Sequence, residues 1–339
     1  VLHYPGGDDP PQTPPDPGGT HPPRPPLGGT HPPRPPLGGT HPPIPPLGGT
    51  HPPRPPLGGT HPPGPPLAPK ARTGRNLPAA IGVGAGLGGL VILTLFTVKA
   101  TFLLYAGIAV AIALAELTSA LAKRDIAIPW IPVAAGGAAM LTCTYWLGPR
   151  DALAAVGLTV IAIVAWRLTG GATGYVKDTT AGVFAAAYLP FLASFVAAML
   201  VPADGPRRVL SFIILTICSD IGGYFAGITV GRHPMAPSIS PKKTWEGFAG
   251  SAVACLVAGW LCLTLLLHGH WWQGLLTGAA VVLAATVGDL VESMIKRDLD
   301  IKDMGTLLPG HGGVLERLDS LLVAAPIVWL LLTVFIPAG

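Results

Sequence analysis

From Leu77 to the carboxyl end, the chain runs through long apolar stretches separated by short polar connections. Several stretches approach or exceed ~18 residues, the length at which a helix can cross a bilayer. Spans are predicted near residues 78–97, 101–121, 130–147, 152–168, 180–200, 209–230, 248–268, 274–295 and 318–336. The expected fold is therefore all-α, a polytopic transmembrane helical bundle of about nine spans. The connection around Lys99 is short enough to make the first two spans a tight hairpin. Pro190 predicts a kink in the fifth span, or a break that neighbouring helices must satisfy.

The first 76 residues follow another rule. They hold most of the 40 prolines and cannot build a core. Gly18 to Leu67 is five copies of the ten-residue unit Gly-Gly-Thr-His-Pro-Pro-x-Pro-Pro-Leu, with Arg24, Arg34, Ile44, Arg54 and Gly64 at the variable position. Four prolines per unit forbid helix and sheet ladders and favour polyproline II segments hinged at Gly-Gly. Residues 1–76 are read as a disordered Pro/Gly-rich repeat tail, and residues 77–339 as the transmembrane domain. His21, His31, His41, His51 and His61 invite a metal-binding reading. A solvated, semi-rigid spacer is the better one, because spaced histidines on a flexible chain bind metal weakly. The tail's partner is not legible. The amino terminus is proline-rich rather than basic and then apolar, so no cleavable leader is expected and the first span should direct insertion.

The net charge of +4 says little until the charges are placed. With the amino terminus inside, all of the 21 lysines and arginines except Lys99, Arg150, Arg207 and Arg208 fall on inner segments. That bias predicts a multi-pass protein of the cell membrane whose polar segments 231–247 and 296–317 face the cytoplasm. Cys143, Cys218, Cys255 and Cys262 all lie in apolar runs without CxxC spacing, as buried thiols acting as small hydrophobes would.

Three features are set apart from the chemistry. Gly82, Gly84, Gly86, Gly88 and Gly89 superficially resemble a dinucleotide-binding loop. They sit inside an apolar span with no preceding strand, so close helix packing is expected there. Trp271 and Trp272 read as an interfacial belt rather than a nucleobase platform, and no nucleic-acid partner is expected. Glu116 stands alone in the second span, and the sequence leaves open whether it serves a site or a structural contact.

The chemistry gathers in two polar stretches. In the first, Asp289, Glu292, Ser293 and Lys296 share a helix face at i, i+3, i+4 and i+7. Arg297, Lys302 and Asp303 follow, then Pro309-Gly310-His311-Gly312-Gly313, which cannot be regular helix and would expose N–H groups to phosphate oxygens. Glu316, Arg317 and Asp319 open the last span, with both carboxylates on one face. Carboxylates, cations and a glycine turn at a membrane rim suit a divalent metal on a polyphosphate. Oxygen-only ligands point to Mg²⁺ rather than zinc. In the second stretch, Asp220 lies roughly 17 Å into its span at ~1.5 Å per residue, a depth that requires a polar cavity. Lys242, Lys243 and Thr244 then offer two ammonium groups and a hydroxyl beside the inner surface, suited to a triphosphate or an anionic lipid.

Ser293 to Asp319 resembles the signature of the CDP-diacylglycerol synthase (phosphatidate cytidylyltransferase) family. That signature comprises a Ser, a Lys-Arg pair, Lys-Asp-x-Gly, Pro-x-His-Gly-Gly and a closing acidic-Arg-x-Asp. The Asp220 element and Ser240-Pro241-Lys242-Lys243-Thr244-Trp245-Glu246-Gly247 resemble the family's upstream blocks. Arg75-Asn76-Leu77-Pro78 is similar to what actinobacterial members carry. The resemblance covers roughly residues 72–337. It departs at Glu316, where the family usually has Asp, and at Asp300, where Gly is common.

The resemblance implies that CTP and phosphatidate are converted to CDP-diacylglycerol and pyrophosphate in phospholipid biosynthesis. It implies catalytic roles for Asp289, Lys302, Asp303, His311 and Arg317. Substrate binding falls to Lys242, Lys243, Thr244, Lys296, Arg297, Gly312 and Gly313. Mg²⁺, with room for a second cation, would be bound by Asp289, Glu316 and Asp319, with Asp220 and Glu292 contributing. A homodimer is compatible with it. A transporter should show related halves, and a CDP-alcohol phosphotransferase a spaced Asp-Gly-x-x-Ala-Arg motif; neither is seen. A CTP-dependent polyprenol kinase should lack the complete Lys-Asp-x-Gly to His-Gly-Gly block.

Overall fold

A bilayer gives backbone N–H and C=O groups no partner, so an apolar run that enters one must satisfy them within its own helix. The computed structural model describes residues 77–305 and 312–337. Nine helical rods occur among the described residues, at the nine positions expected. They are α1 (Leu77–Thr97), α2 (Lys99–Ala122), α3 (Trp130–Trp146), α4 (Pro149–Leu168), α5 (Tyr175–Ala186) continued by α6 (Leu192–Leu200), α7 (Gly205–Val230), α8 (Trp245–Leu261), α9 (Trp271–Asp298) and α10 (Leu315–Phe335). Seven rods are long and apolar enough to cross a membrane by length and composition. Of the other two, α3 has only 17 residues, about 26 Å at ~1.5 Å per residue. The other, the apolar stretch Gly84–Thr97 within α1, is shorter still.

The break expected at Pro190 is a π-helical turn, Ala187–Phe191, between α5 and α6. Its wider ring accommodates the proline's missing N–H. A similar turn, Cys262–Leu266, extends α8 and had no warning residue. The polar segment between α7 and α8 adds an antiparallel hairpin, β1 (Pro234–Ala236) with β2 (Ser240–Thr244), to the all-α frame.

Contacts sort the connections to two ends. At one, Lys99 donates to the carbonyls of Leu200 and Pro202. The buried Arg208 there reaches Asp204, Leu332 O and Ile336 O at 2.8, 3.2 and 2.6 Å. At the other, Arg124 donates to Leu299 O, Lys177 to Arg124 O and Arg297 to Ile239 O, at 3.2, 2.9 and 3.2 Å. The two chemistry-bearing stretches thus share an end.

Two apolar clusters fill the interior, one around Leu117, Val133, Leu189 and Leu315, the other around Leu95, Val209, Leu263 and Val281. Leu104, Leu153, Ile161, Val253 and Leu265 point outward, as suits a bilayer as solvent.

Helices α7 to α10 pack through glycine. A Cβ built on Gly222 would stand 2.7 Å from Gly250 O, and one on Gly259 would stand 2.3 Å from Gly274 O. One on Gly278 would meet Cys255 O at 2.3 Å, and one on Gly288 would meet Asp319 O at 2.4 Å. These backbone-on-backbone seams are the small-residue packing of membrane helices. The glycines of α1 are not part of it. Among the described residues nothing lies within 4 Å of a Cβ built on Gly82, Gly84, Gly86, Gly88 or Gly89, which corrects the packing expected there. α1 instead meets its neighbours through Val91 and Leu95.

Candidate active site

The α9/α10 seam creates the site. Because Gly288 admits the backbone of Asp319 and Ser320, the next residue, Asp289, lines the same cavity as Asp319. The α7/α8 seam brings Ser219 and Asp220 to the opposite wall. The cavity measures about 520 Å³ and is also lined by Thr286, Glu316, Arg317, Lys242, Lys243 and Thr244. That volume lies within the ~300–1,000 Å³ usual for small-molecule sites. Asp220 is exposed to this space, which answers the requirement its depth imposed. One flank is apolar, formed by Ile221, Tyr224, Phe225 and Phe248, the first three of them exposed on α7.

The hairpin supplies the cations. Lys243 of β2 places its Nζ 2.5 Å from Asp289 Oδ2. Thr244 is also the N-cap of α8, its hydroxyl accepting the Gly247 N–H at 3.1 Å. Glu246 secures the hairpin's entry by accepting the N–H groups of Arg232 and His233 at 3.1 and 3.2 Å. Arg297 holds its turn through Ile239 O.

Glu316 uses its length to reach backwards. Its Oε2 accepts the Gly313 N–H at 3.2 Å, and its Oε1 accepts the Met304 N–H at 3.4 Å and meets Lys296 Nζ at 3.2 Å. Gly312 adopts φ +79° against this carboxylate, where a Cβ would clash with Oε2. Lys296 also pairs with Glu292 at 2.7 Å. Glu292 is buried, and its Oε1 has no hydrogen-bond partner among the described residues. It lies off the cavity wall. Asp319 is buried too, and its Oδ1 accepts the Ser320 N–H at 2.7 Å.

A second pocket, about 480 Å³, borders the first and shares Lys242 with it. It collects Ser293, Lys296, Arg297 and Lys302, with Asp300 as its carboxylate. Asp300 has φ +53°. The Ile301 N–H bonds Lys296 O at 3.0 Å and the Asp300 N–H bonds Arg297 O at 3.2 Å. That is a Schellman ending of α9 with Asp300 at the position where glycine is commonest. Asp303 is exposed and makes no ion pair among the described residues. His311 lies outside the described residues.

Asp220, Asp289, Glu316 and Asp319 therefore share one wall system, whereas Glu292, Lys296, Arg297 and Lys302 lie beside it. Among the described residues no three acidic, His or Cys side chains already converge as a metal cage. The donor set is nevertheless all hard oxygen, with Ser219 and Thr286 also lining the cavity. Thr286 was missed in sequence, although it precedes Asp289 by one helical turn. Glu116 is placed away from both pockets, against the start of α10.

The model of the Cytidylyltransferase family matches residues 79–335. The chain is 43% identical over 279 residues to the phosphatidate cytidylyltransferase of Mycobacterium leprae, covering 77% of this chain and 89% of that protein. It is 42% identical over 276 residues to the phosphatidate cytidylyltransferase of Mycobacterium bovis, covering 78% and 90%. The Mycobacterium tuberculosis enzyme of the same name is 42% identical, with 78% and 84% covered.

Proposed function

The chain belongs to the cytidylyltransferase family, and on that premise we propose that it converts CTP and phosphatidate to CDP-diacylglycerol and pyrophosphate. The observation that carries this reading is one cavity with four carboxylates, three cations and an apolar flank, next to a second, cationic pocket. A phosphatidate phosphate oxygen attacks the α-phosphorus of CTP. The new P–O bond forms as the α–β anhydride bond breaks, and pyrophosphate leaves with the electron pair. Phosphatidate's phosphate is largely ionised near neutral pH, so no strong general base is needed.

The chain's own residues divide the work. Lys242, Lys243 and Arg317 neutralise phosphate oxygens inside the cavity, and Lys296, Arg297 and Lys302 hold phosphate in the adjoining pocket. The apolar flank of α7 gives the acyl chains a surface continuous with the bilayer. Asp220, Asp289, Asp319 and Glu316 would hold Mg²⁺, which when bound would neutralise polyphosphate charge. The distribution of lysine and arginine supports a plasma-membrane protein with this end in the cytoplasm, where CTP is available. Purified protein incubated with labelled CTP, phosphatidate and Mg²⁺ should form a labelled lipid. Retention of all label in the aqueous phase, with intact protein in detergent, refutes the assignment.

A further inference from the structure

Glu116 lines neither pocket, yet three pieces of the signature region close upon it. Its Oε1 accepts the N–H of Val314 at 3.1 Å and its Oε2 that of Leu315 at 2.9 Å. These N–H groups open α10 and have no partner within the helix. The carboxylate is also walled in by glycine. A Cβ on Gly305 would fall on the Glu116 side chain itself, 2.4 Å from Cδ and 2.8 Å from Cγ. One on Gly313 would stand 2.6 Å from Oε2. Glutamate on α2 thus accounts for glycine at the end of Lys302-Asp303-Met304-Gly305 and at the second position of Gly312-Gly313.

We infer that Glu116 is a positioning residue for the transfer site: it fixes where α10 begins, and through that start fixes Glu316, Arg317 and Asp319. This rests on the function proposed above. The link is short, because Leu315 directly precedes Glu316. Two charge-assisted hydrogen bonds hold the first turn from outside the helix. Glu316 then completes the clasp through the N–H groups of Gly313 and Met304. A residue that sequence shows only as a lone intramembrane carboxylate therefore acts on the reaction from another helix, without touching substrate.

The test separates positioning from bulk stability. Glu116→Gln keeps one acceptor but turns an NH₂ toward the second N–H. A shift of about 1 Å at the acidic wall should lower kcat roughly 10²-fold, well beyond any rise in KM for CTP, since Lys242, Lys243, Arg297 and Lys302 are not carried by α10. Glu116→Asp should recover part of the loss, because it keeps the charge. Gly305→Ala should cost a comparable amount in the natural background and less than about twofold further in Glu116→Ala, since the three atoms nearest its Cβ all belong to that side chain. Equal costs of Gly305→Ala in both backgrounds, or normal kcat in Glu116→Gln, overturn the inference. Amide hydrogen exchange across residues 312–320 gives a readout independent of chemistry. It should rise in Glu116→Gln even if the wild-type protein forms no labelled lipid, and unchanged exchange overturns the inference. Absent lipid product in the wild type refutes the function instead.

Discussion

Gly288→Ala is the most exacting test of how the acidic wall is assembled. The added methyl would lie 2.4 Å from Asp319 O, 2.9 Å from Ser320 Cα and 3.0 Å from Asp319 C. All three are backbone atoms, so no rotamer change relieves the contact. Ordinary contact begins near 3.4 Å, so α9 and α10 must part by about 1 Å. Overpacking of this kind costs about 1–3 kcal/mol. Replacing glycine by alanine within a helix returns about 1 kcal/mol, which leaves a modest net destabilisation. Catalysis does not share that compensation. The same 1 Å separates Asp289 from Asp319 and should lower transfer about 10²-fold. The assay is lipid product from labelled CTP in matched detergent, beside a thermal unfolding curve. Gly84→Ala, with nothing among the described residues within 4 Å of its Cβ, is the control and should leave transfer unchanged while the unfolding midpoint holds or rises slightly. Gly288→Ala protein with transfer within about threefold of wild type would refute the reasoning.

Other outcomes follow from the same geometry. Asp289→Asn and Asp319→Asn should each reduce transfer about 10³-fold or more if these groups hold the metal, with folding checked by size-exclusion profile. Glu316→Asp keeps the charge but shortens the reach to Gly313, so activity should persist with a raised Mg²⁺ requirement; Glu316→Gln should be nearly inactive, and normal Mg²⁺ dependence there removes Glu316 from the site. Asp300→Gly relieves a left-handed side chain and should stabilise by about 1 kcal/mol, visible as a raised unfolding midpoint. Arg208→Met removes the guanidinium from Asp204, Ile336 O and Leu332 O, the last of which keeps the Ile336 N–H, and should cost about 2–4 kcal/mol, lowering that midpoint without changing KM. Cysteines at Ser238 and Asp298, both exposed, should react with an impermeant thiol reagent only when the cytoplasmic face is opened; labelling of both in intact cells would reverse the orientation.

The helices were legible because apolar length alone defines them, and Pro190 announced its own break. Asp220 was legible as a cavity residue because burying a charge in lipid leaves no cheaper arrangement. The hairpin was not, since Pro234–Ala236 and Ser240–Thr244 are too short to carry a periodic signal against a charged background. Glycine misled in one place and was silent in another. The run in α1 has the more conspicuous pattern, yet Gly222, Gly250, Gly274 and Gly288 make the contacts. Spacing along one helix does not show which face meets a partner. Glu116 stayed ambiguous for the same reason, as its partners lie roughly two hundred positions away.

The glycine seams also bear on how sharply the catalytic end is defined. Side chains that interlock at a helix interface must each surrender rotamer freedom, up to ~2 kcal/mol for the longest. Glycine has no rotamers to surrender, and its backbone entropy is already lost once the helix has formed. Docking α7 through α10 against one another therefore costs little disorder beyond that of the helices themselves. At the glycine contacts themselves there is no side chain to repack. Register between these helices becomes close to a single-valued quantity, and the carboxylates that ride on them inherit that definition.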